Sequence, residues 1–188
     1  EGRLSTRLET FFFPADCNIM VARADSGNLI AAHAGGFSLI DHLAAISGTG
    51  KTRKFGSVVD AVVAHFRDHG DEPKSLSVFI VRGVRDSNFG YDSKDETFGE
   101  RNQKLLTAFR AIHQSVVVGE SGVDITQAIR LQFERHGVPG HRIQTDTTDT
   151  YNDRDFGDFT WWSHERALAN GDKSEATECR SLIAVLNP

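Results

Sequence analysis

An α/β fold, with helices layered on a mixed β-sheet, is predicted by three observations on this 188-residue chain. Strand-like apolar runs alternate with segments whose apolar residues recur at helical spacing. Gly, Pro, Asp and Asn punctuate the joins, and no internal repeat or low-complexity tract interrupts the pattern. In chain order, Asn18-Ile19-Met20-Val21-Ala22 and Leu29-Ile30-Ala31-Ala32 read as two strands. Between them, 23–28 carry the Asp, Ser, Gly and Asn of a hairpin turn. Phe37, Ile40, Leu43 and Ala44 then fall at helical spacing up to Ile46. Val58, Val59, Val62, Val63 and Phe66 mark the next helix, capped by Ser57 and ended by Gly70. Residues 76–81 read as a buried strand. Leu105, Leu106, Phe109 and Ile112 mark a further helix. Ile125, Ala128, Ile129 and Phe133 mark another, opened by Asp124 and stopped by Gly137 before Pro139. Arg142-Ile143-Gln144 and 181–186 supply the last strands. The polar stretches 83–101 and 145–158 read as loops, where ligand contacts concentrate.

Composition narrows the function classes. With 39% hydrophobic and 25% charged residues the chain is ordinary for a globular protein, and it is read as one domain over 1–188. A formal charge of −5 speaks against bulk nucleic-acid binding, which needs a basic face. No apolar run approaches the roughly 20 residues that span a bilayer, and no signal-peptide pattern opens the chain. Two cysteines, Cys17 and Cys179, make no disulfide framework, so a reducing, cytoplasmic setting is expected. The chain starts Glu1-Gly2-Arg3 with no initiator methionine, the pattern of a domain shortened at its N-terminal side.

The chemistry-bearing feature is Cys17 just before the first strand and His33 just after the second. If the strands pair antiparallel, the thiol and the imidazole come opposite one another at the open end of the hairpin. A cysteine titrating near 8.5 is activated by a neighbouring imidazolium or metal. Zinc takes thiolate and neutral imidazole, and lowers the pKa of water in its open position. A small apolar residue in the core is the plain alternative for Cys17. Two protein ligands hold zinc poorly. A third would come from a segment upstream of this chain, from His42, from His164, or from a partner chain. The remaining histidines, 65, 69, 113, 136 and 141, read as surface residues, and Cys179 as inert.

These residues resemble the YfiH/YlmD-type laccase-domain proteins, which are multicopper-oxidase-like and related to the purine-metabolising protein FAMIN. The carriers are Ala15-Asp16-Cys17, the hairpin, and His33-Ala34-Gly35. In order along the chain follow 81–89, Asp124-Ile125-Thr126 through Gly137-Val138-Pro139, Thr147-Thr148-Asp149-Thr150-Tyr151, Trp162-Ser163-His164-Glu165-Arg166, and the closing 180–186. The resemblance implies a Cys/His cluster that is catalytic or zinc-binding, acting on purine nucleosides by phosphorolysis or adenosine deamination, with copper-dependent phenol oxidation as an older assignment. Carried over, Cys17 and His33 are both the catalytic and the metal-binding residues, and zinc is the implied cofactor. Nucleoside and phosphate are the implied partners. Loop arginines Arg82 and Arg85 (with Arg53) suit phosphate, and His164 suits the pocket wall. The family's second histidine lies upstream of Ala-Asp-Cys, and no His precedes Cys17 here. Its Trp-Arg after His-Ala-Gly is replaced by Gly36-Phe37.

Three other readings stay open. A catalytically degenerate relative would bind a ligand or partner. A nucleotide hydrolase would use 45–52, Ala-Ile-Ser-Gly-Thr-Gly-Lys-Thr, which fits a permissive P-loop pattern but follows residues at helical rather than strand spacing. Type 1 copper would need two His, one Cys and an axial Met, for which Met20 is the one methionine.

Overall fold

The computed structural model describes residues 7–14, 17–47, 54–81, 83–84, 89–146, 148–155, 158–159, 164–171 and 180–187. Their strands are β1 (Arg7–Pro14), β2 (Asn18–Ala24), β3 (Leu29–Ala34), β4 (Leu76–Val81), β5 (Val117–Val118), β6 (Gly122–Val123), β7 (Ile143–Thr145), β8 (Arg154–Asp155), β9 (Asp158–Phe159) and β10 (Arg180–Asn187). The α-helices are α1 (His42–Ser47), α2 (Val58–Asp68), α3 (Gly99–Ile112), α4 (Ile125–Arg135) and α5 (His164–Ala169). The fold is the expected α/β mixture.

A four-stranded sheet in the order β3-β2-β4-β7 is mixed: β7 runs parallel to β4, and the other pairs are antiparallel. Strand alternation gives the sheet two different faces. Met20, Ala22, Ala24, Val78 and Ile80 are buried in one core with Val59, Val63 and Phe66 of α2, Leu105 and Phe109 of α3, and Ala128, Ile129 and Phe133 of α4. On the other face Arg23, Ser77, Phe79 and Gln144 are exposed. Burial of that apolar set, at about 25 cal/mol per Å², is what holds the helices on the sheet.

Local signals act as their chemistry demands. Ser57 and Asp60 form a reciprocal capping box on α2, and Asp124 caps α4 through the amide of Gln127. Gly70 and Gly137, at φ 84° and 96°, close those two helices in the left-handed region.

Several expectations need correction. Residues 37–46 do not form one helix: a 3-10 turn, Gly36–Ser38, precedes α1. The stretch 83–101 is not loop throughout, because α3 begins at Gly99 and Gly90 bridges to Gly122. β1, which pairs antiparallel with β10 across the full length of both, was not expected at all. No helix among the described residues is long and apolar enough to cross a membrane.

Candidate functional site

The β2–β3 hairpin positions both reactive side chains, with a register that differs from the simplest expectation. Asn18 pairs with Ala34 and Ile19 with His33, so Cys17 and His33 are not directly opposite. The strands run further than their apolar residues suggest, and Cys17, one residue before β2, lies diagonally from His33. Diagonal neighbours on one sheet face remain within side-chain reach.

Gly35 makes that reach concrete. A Cβ built on Gly35 would sit 3.0 Å from His33 Cε1, 3.5 Å from His33 Nε2 and 3.7 Å from Cys17 Sγ. Imidazole nitrogen and thiol sulfur therefore border one small cradle, kept open because residue 35 has no side chain. Cys17 is half-buried. His33 Nε2 is shielded from solvent and has no hydrogen-bond partner among the described residues. A buried polar atom left unpaired costs roughly 1–3 kcal/mol, and each such group in a folded protein calls for an explanation. Burial also holds the His33 imidazole below its ordinary value of 6.5, so the ring is neutral near pH 7.

The cradle has an aromatic wall. A Cβ on Gly36 would collide with Tyr91 Oη and come within 3.2 Å of Phe89 Cζ, so the space a larger residue would take at position 36 is held by those two rings. Tyr91 stacks on Phe109 of α3 at 5.9 Å and is met by Phe89 and Phe37 at 5.8 and 5.9 Å. Its backbone amide donates to Ser121 O at 2.9 Å, which fixes the segment against the β5–β6 ribbon. Burial pushes the Tyr91 phenol up to about 12. The Arg101 guanidinium acts in the opposite sense and the Cys17 thiolate adds to the rise. Tyr91 and Arg101 were not picked out from sequence, because both lie in the stretch read as a loop.

The other sequence-derived candidates divide cleanly. Arg82, Arg85, Arg53, Cys179 and the Gly48–Thr52 part of the P-loop-like stretch lie outside the described residues. His164 opens α5 and His42 opens α1, but their side chains lie outside as well. Ala45, Ile46 and Ser47 belong to α1, so the P-loop-like stretch follows a helix, whereas a phosphate-binding loop follows a strand. His65, His69, His113 and His141 are exposed as expected. His136 is half-buried instead, with Nε2 2.7 Å from Asp60 Oδ1.

A thiolate and a neutral imidazole at one cradle suit a zinc or copper ion, and the unpartnered Nε2 is the atom that would face it. No third His, Cys, Asp or Glu joins them among the described residues. Met20 does not supply an axial copper ligand. It is 1% exposed in the core, and as the neighbour of Ile19, the residue opposite His33, it points to the other face of the sheet.

Comparison with known proteins agrees with this fold. The YfiH protein of Bacillus licheniformis superposes with a TM-score of 0.66 at 15% identity, covering 96% of this chain and 57% of its own. YlmD of Geobacillus stearothermophilus gives 0.64 at 19% identity, again covering 96% and 57%. The Neisseria meningitidis protein NMB0706 gives 0.60 at 16%, covering 97% and 64%. The chain thus spans about three-fifths of the length of these solved relatives. No curated protein matches it in sequence. Residues 6–172 match the family described as multi-copper polyphenol oxidoreductase laccase, and the chain belongs to that family.

Proposed function

We propose that the Cys17–His33 cradle is the reaction site of an enzyme on purine nucleosides, working by phosphorolysis, by deamination of adenosine, or both. The observation that carries this reading is the unpartnered, buried His33 Nε2 bordering the same space as Cys17 Sγ. Held neutral near pH 7, His33 can take a proton at Nε2 and return it. In deamination a water oxygen bonds to the purine C6. Its proton passes through His33 Nε2 to the amine, which leaves as ammonia, and inosine remains. In phosphorolysis a phosphate oxygen bonds to the sugar C1′ as the bond to the base breaks. The proton of dihydrogen phosphate then passes through His33 Nε2 to the departing base.

Zinc is the cofactor this donor pair favours, and when bound it supplies a Lewis acid that acidifies water in the site. Cys17 and His33 would hold it, with His42, His164 or a residue outside this sequence as third ligand; His33 Nε2 would then be a ligand, and its proton relay belongs to the metal-free site. Arg82, Arg85 and His164 are proposed to meet phosphate and sugar. A reducing cytoplasm suits the Cys17 thiol.

A binding module without catalysis is the second reading, favoured by the missing third donor among the described residues. Chromatography of adenosine and inosine incubated with zinc, with and without phosphate, separates the two. Base release that requires phosphate, or inosine from adenosine, both lost in Cys17→Ala, supports the enzyme. With neither product formed and nucleoside still bound, the binding module replaces it.

A further inference from the structure

We infer that a second binding site lies where α2, α3 and α4 meet, and that it takes a small organic cation carrying N–H donors on a short apolar body. The place is a cavity of about 270 Å³, just under the roughly 300–1,000 Å³ of ordinary small-molecule sites. It shares no lining residue with the Cys17–His33 cradle, so it stands whether or not that cradle turns over nucleosides. Helix periodicity builds it. Gln132, Arg135 and His136, three and four residues apart on α4, line the cavity together. Gln132 carries the inference. It is 5% exposed, and its amide is oriented by Nε2, which donates to the carbonyl of Leu39 at 2.8 Å. That leaves Oε1 a shielded acceptor with no partner among the described residues, the condition of His33 Nε2 in the first site. A buried acceptor left bare destabilises the fold, and an N–H brought by a ligand offsets that loss.

The groups around Gln132 ask for the same chemistry. The Asp60 carboxylate accepts from the Ser57 backbone amide and from His136 Nε2, each at 2.7 Å. With Nε2 donating, the second nitrogen of a neutral His136 ring is a further acceptor. A carboxylate offers about four lone-pair directions, so Asp60 has room for another donor. Asp41 brings a second carboxylate to the lining. Arg135 is the one guanidinium there. It is exposed, and its Nη2 is drawn onto the carbonyl of Ile112 at 2.7 Å. Acceptors and negative charge therefore dominate the polar wall, and the ligand supplies the N–H groups and the positive charge. Leu39, Ile40 and Ile112 form the apolar part of the lining, against which its body packs.

Three probes of nearly one shape test this without any turnover assay. Benzamidine is a cation rich in N–H, benzamide is neutral with N–H and C=O, and benzoate is an anion with no N–H. Each is titrated into the nitrogen-15-labelled protein and followed on the backbone amide signals of α4. Benzamidine is expected to shift them at concentrations where benzoate does not. Benzamide should bind about fivefold or more weakly, the margin between charge-assisted and neutral hydrogen bonds. Gln132→Met keeps the length of the side chain, removes the acceptor, and should weaken benzamidine about tenfold. Ala111→Leu fills the cavity from an exposed position on α3, where leucine suits the helix. It should abolish the shifts while the melting temperature stays within a few degrees, and it decides the matter even where Gln132→Met fails to fold. Benzamide binding as tightly as benzamidine would overturn the cation, and benzoate doing so would overturn the donor-bearing ligand. No shift with any probe, or shifts that survive Ala111→Leu, would overturn the site and leave a cavity that holds water only.

Discussion

The two ends of the β2–β3 hairpin are built on opposite principles. At the turn, polar groups find one another: Asn28 donates to Asp71 at 2.7 Å, and Arg142 grips both Asp25 at 2.9 Å and the carbonyl of Ser75 at 2.8 Å. At the open end His33 Nε2 finds no partner among the described residues, Gly35 leaves space beside it, and the rings of Tyr91 and Phe89 fill the place a side chain at Gly36 would take. The same two strands therefore carry a satisfied end that secures the fold and an unsatisfied end where the proposed site lies. Unpaired buried groups persist where function offsets their cost.

Substitutions should separate the ends, and the largest contrast lies in turnover. Cys17→Ala and His33→Gln are each expected to reduce nucleoside turnover by about 10²-fold or more. Arg142→Ala, at the turn, should leave turnover unchanged. Comparable losses at both ends would dissolve the distinction.

The pH dependence of stability sharpens the same contrast. Burial lowers the His33 pKa from 6.5, so the unfolded chain binds that proton more readily. Its contribution is full above pH 6.5 and is lost as pH falls from there through the folded value. Hydrogen bonds from Asn28 and then Ser26 hold the Asp71 carboxyl below 3.8. That contribution is present above pH 3.8 and is lost as pH falls through the lowered value. Denaturant midpoints measured from pH 8 to 3 should thus fall in two steps. His33→Gln should remove the first and Asp71→Asn the second. A profile unaltered by either substitution would contradict both assignments. The smallest effect is that of Arg142→Ala on stability, about 1 kcal/mol, because its partner Asp25 is largely exposed. Thermal unfolding reads it as a shift of a few degrees, and no shift would show that the turn contacts contribute nothing.

The hairpin, α2 and α4 were legible in the sequence because their periodicities are clean and their caps conventional: Ser57, Asp124, Gly70 and Gly137 all act as such residues do. The start of α3 was hidden because Glu100, Gln103 and Lys104 are the solvent side of an amphipathic helix and, with the half-buried Arg101, read as loop polarity. β1 was hidden because it pairs with β10 from the other end of the chain, a pairing no local pattern announces. At the site, Cys17 and His33 stood out, but their register did not. Ala31, Ala32 and Ala34 around His33 show no alternation from which to count faces. The replacement of Trp-Arg by Gly36-Phe37 was visible as a loss. That Tyr91 and Phe89 close the space beside Gly36, with Arg101 nearby, is a tertiary fact.

The most direct test of the open end is Gly35→Ala. Residue 35 has φ −75° and ψ 162°, open to any side chain, so the backbone accepts alanine. The new methyl would fill the cradle between His33 and Cys17. Melting temperature and phosphate-dependent release of base from inosine would be measured on the unsubstituted and substituted proteins together. The predicted result is a melting temperature within a few degrees, with base release present in the first protein and reduced about tenfold or more in the second. Equal base release from both would contradict the claim that chemistry takes place between Cys17 and His33.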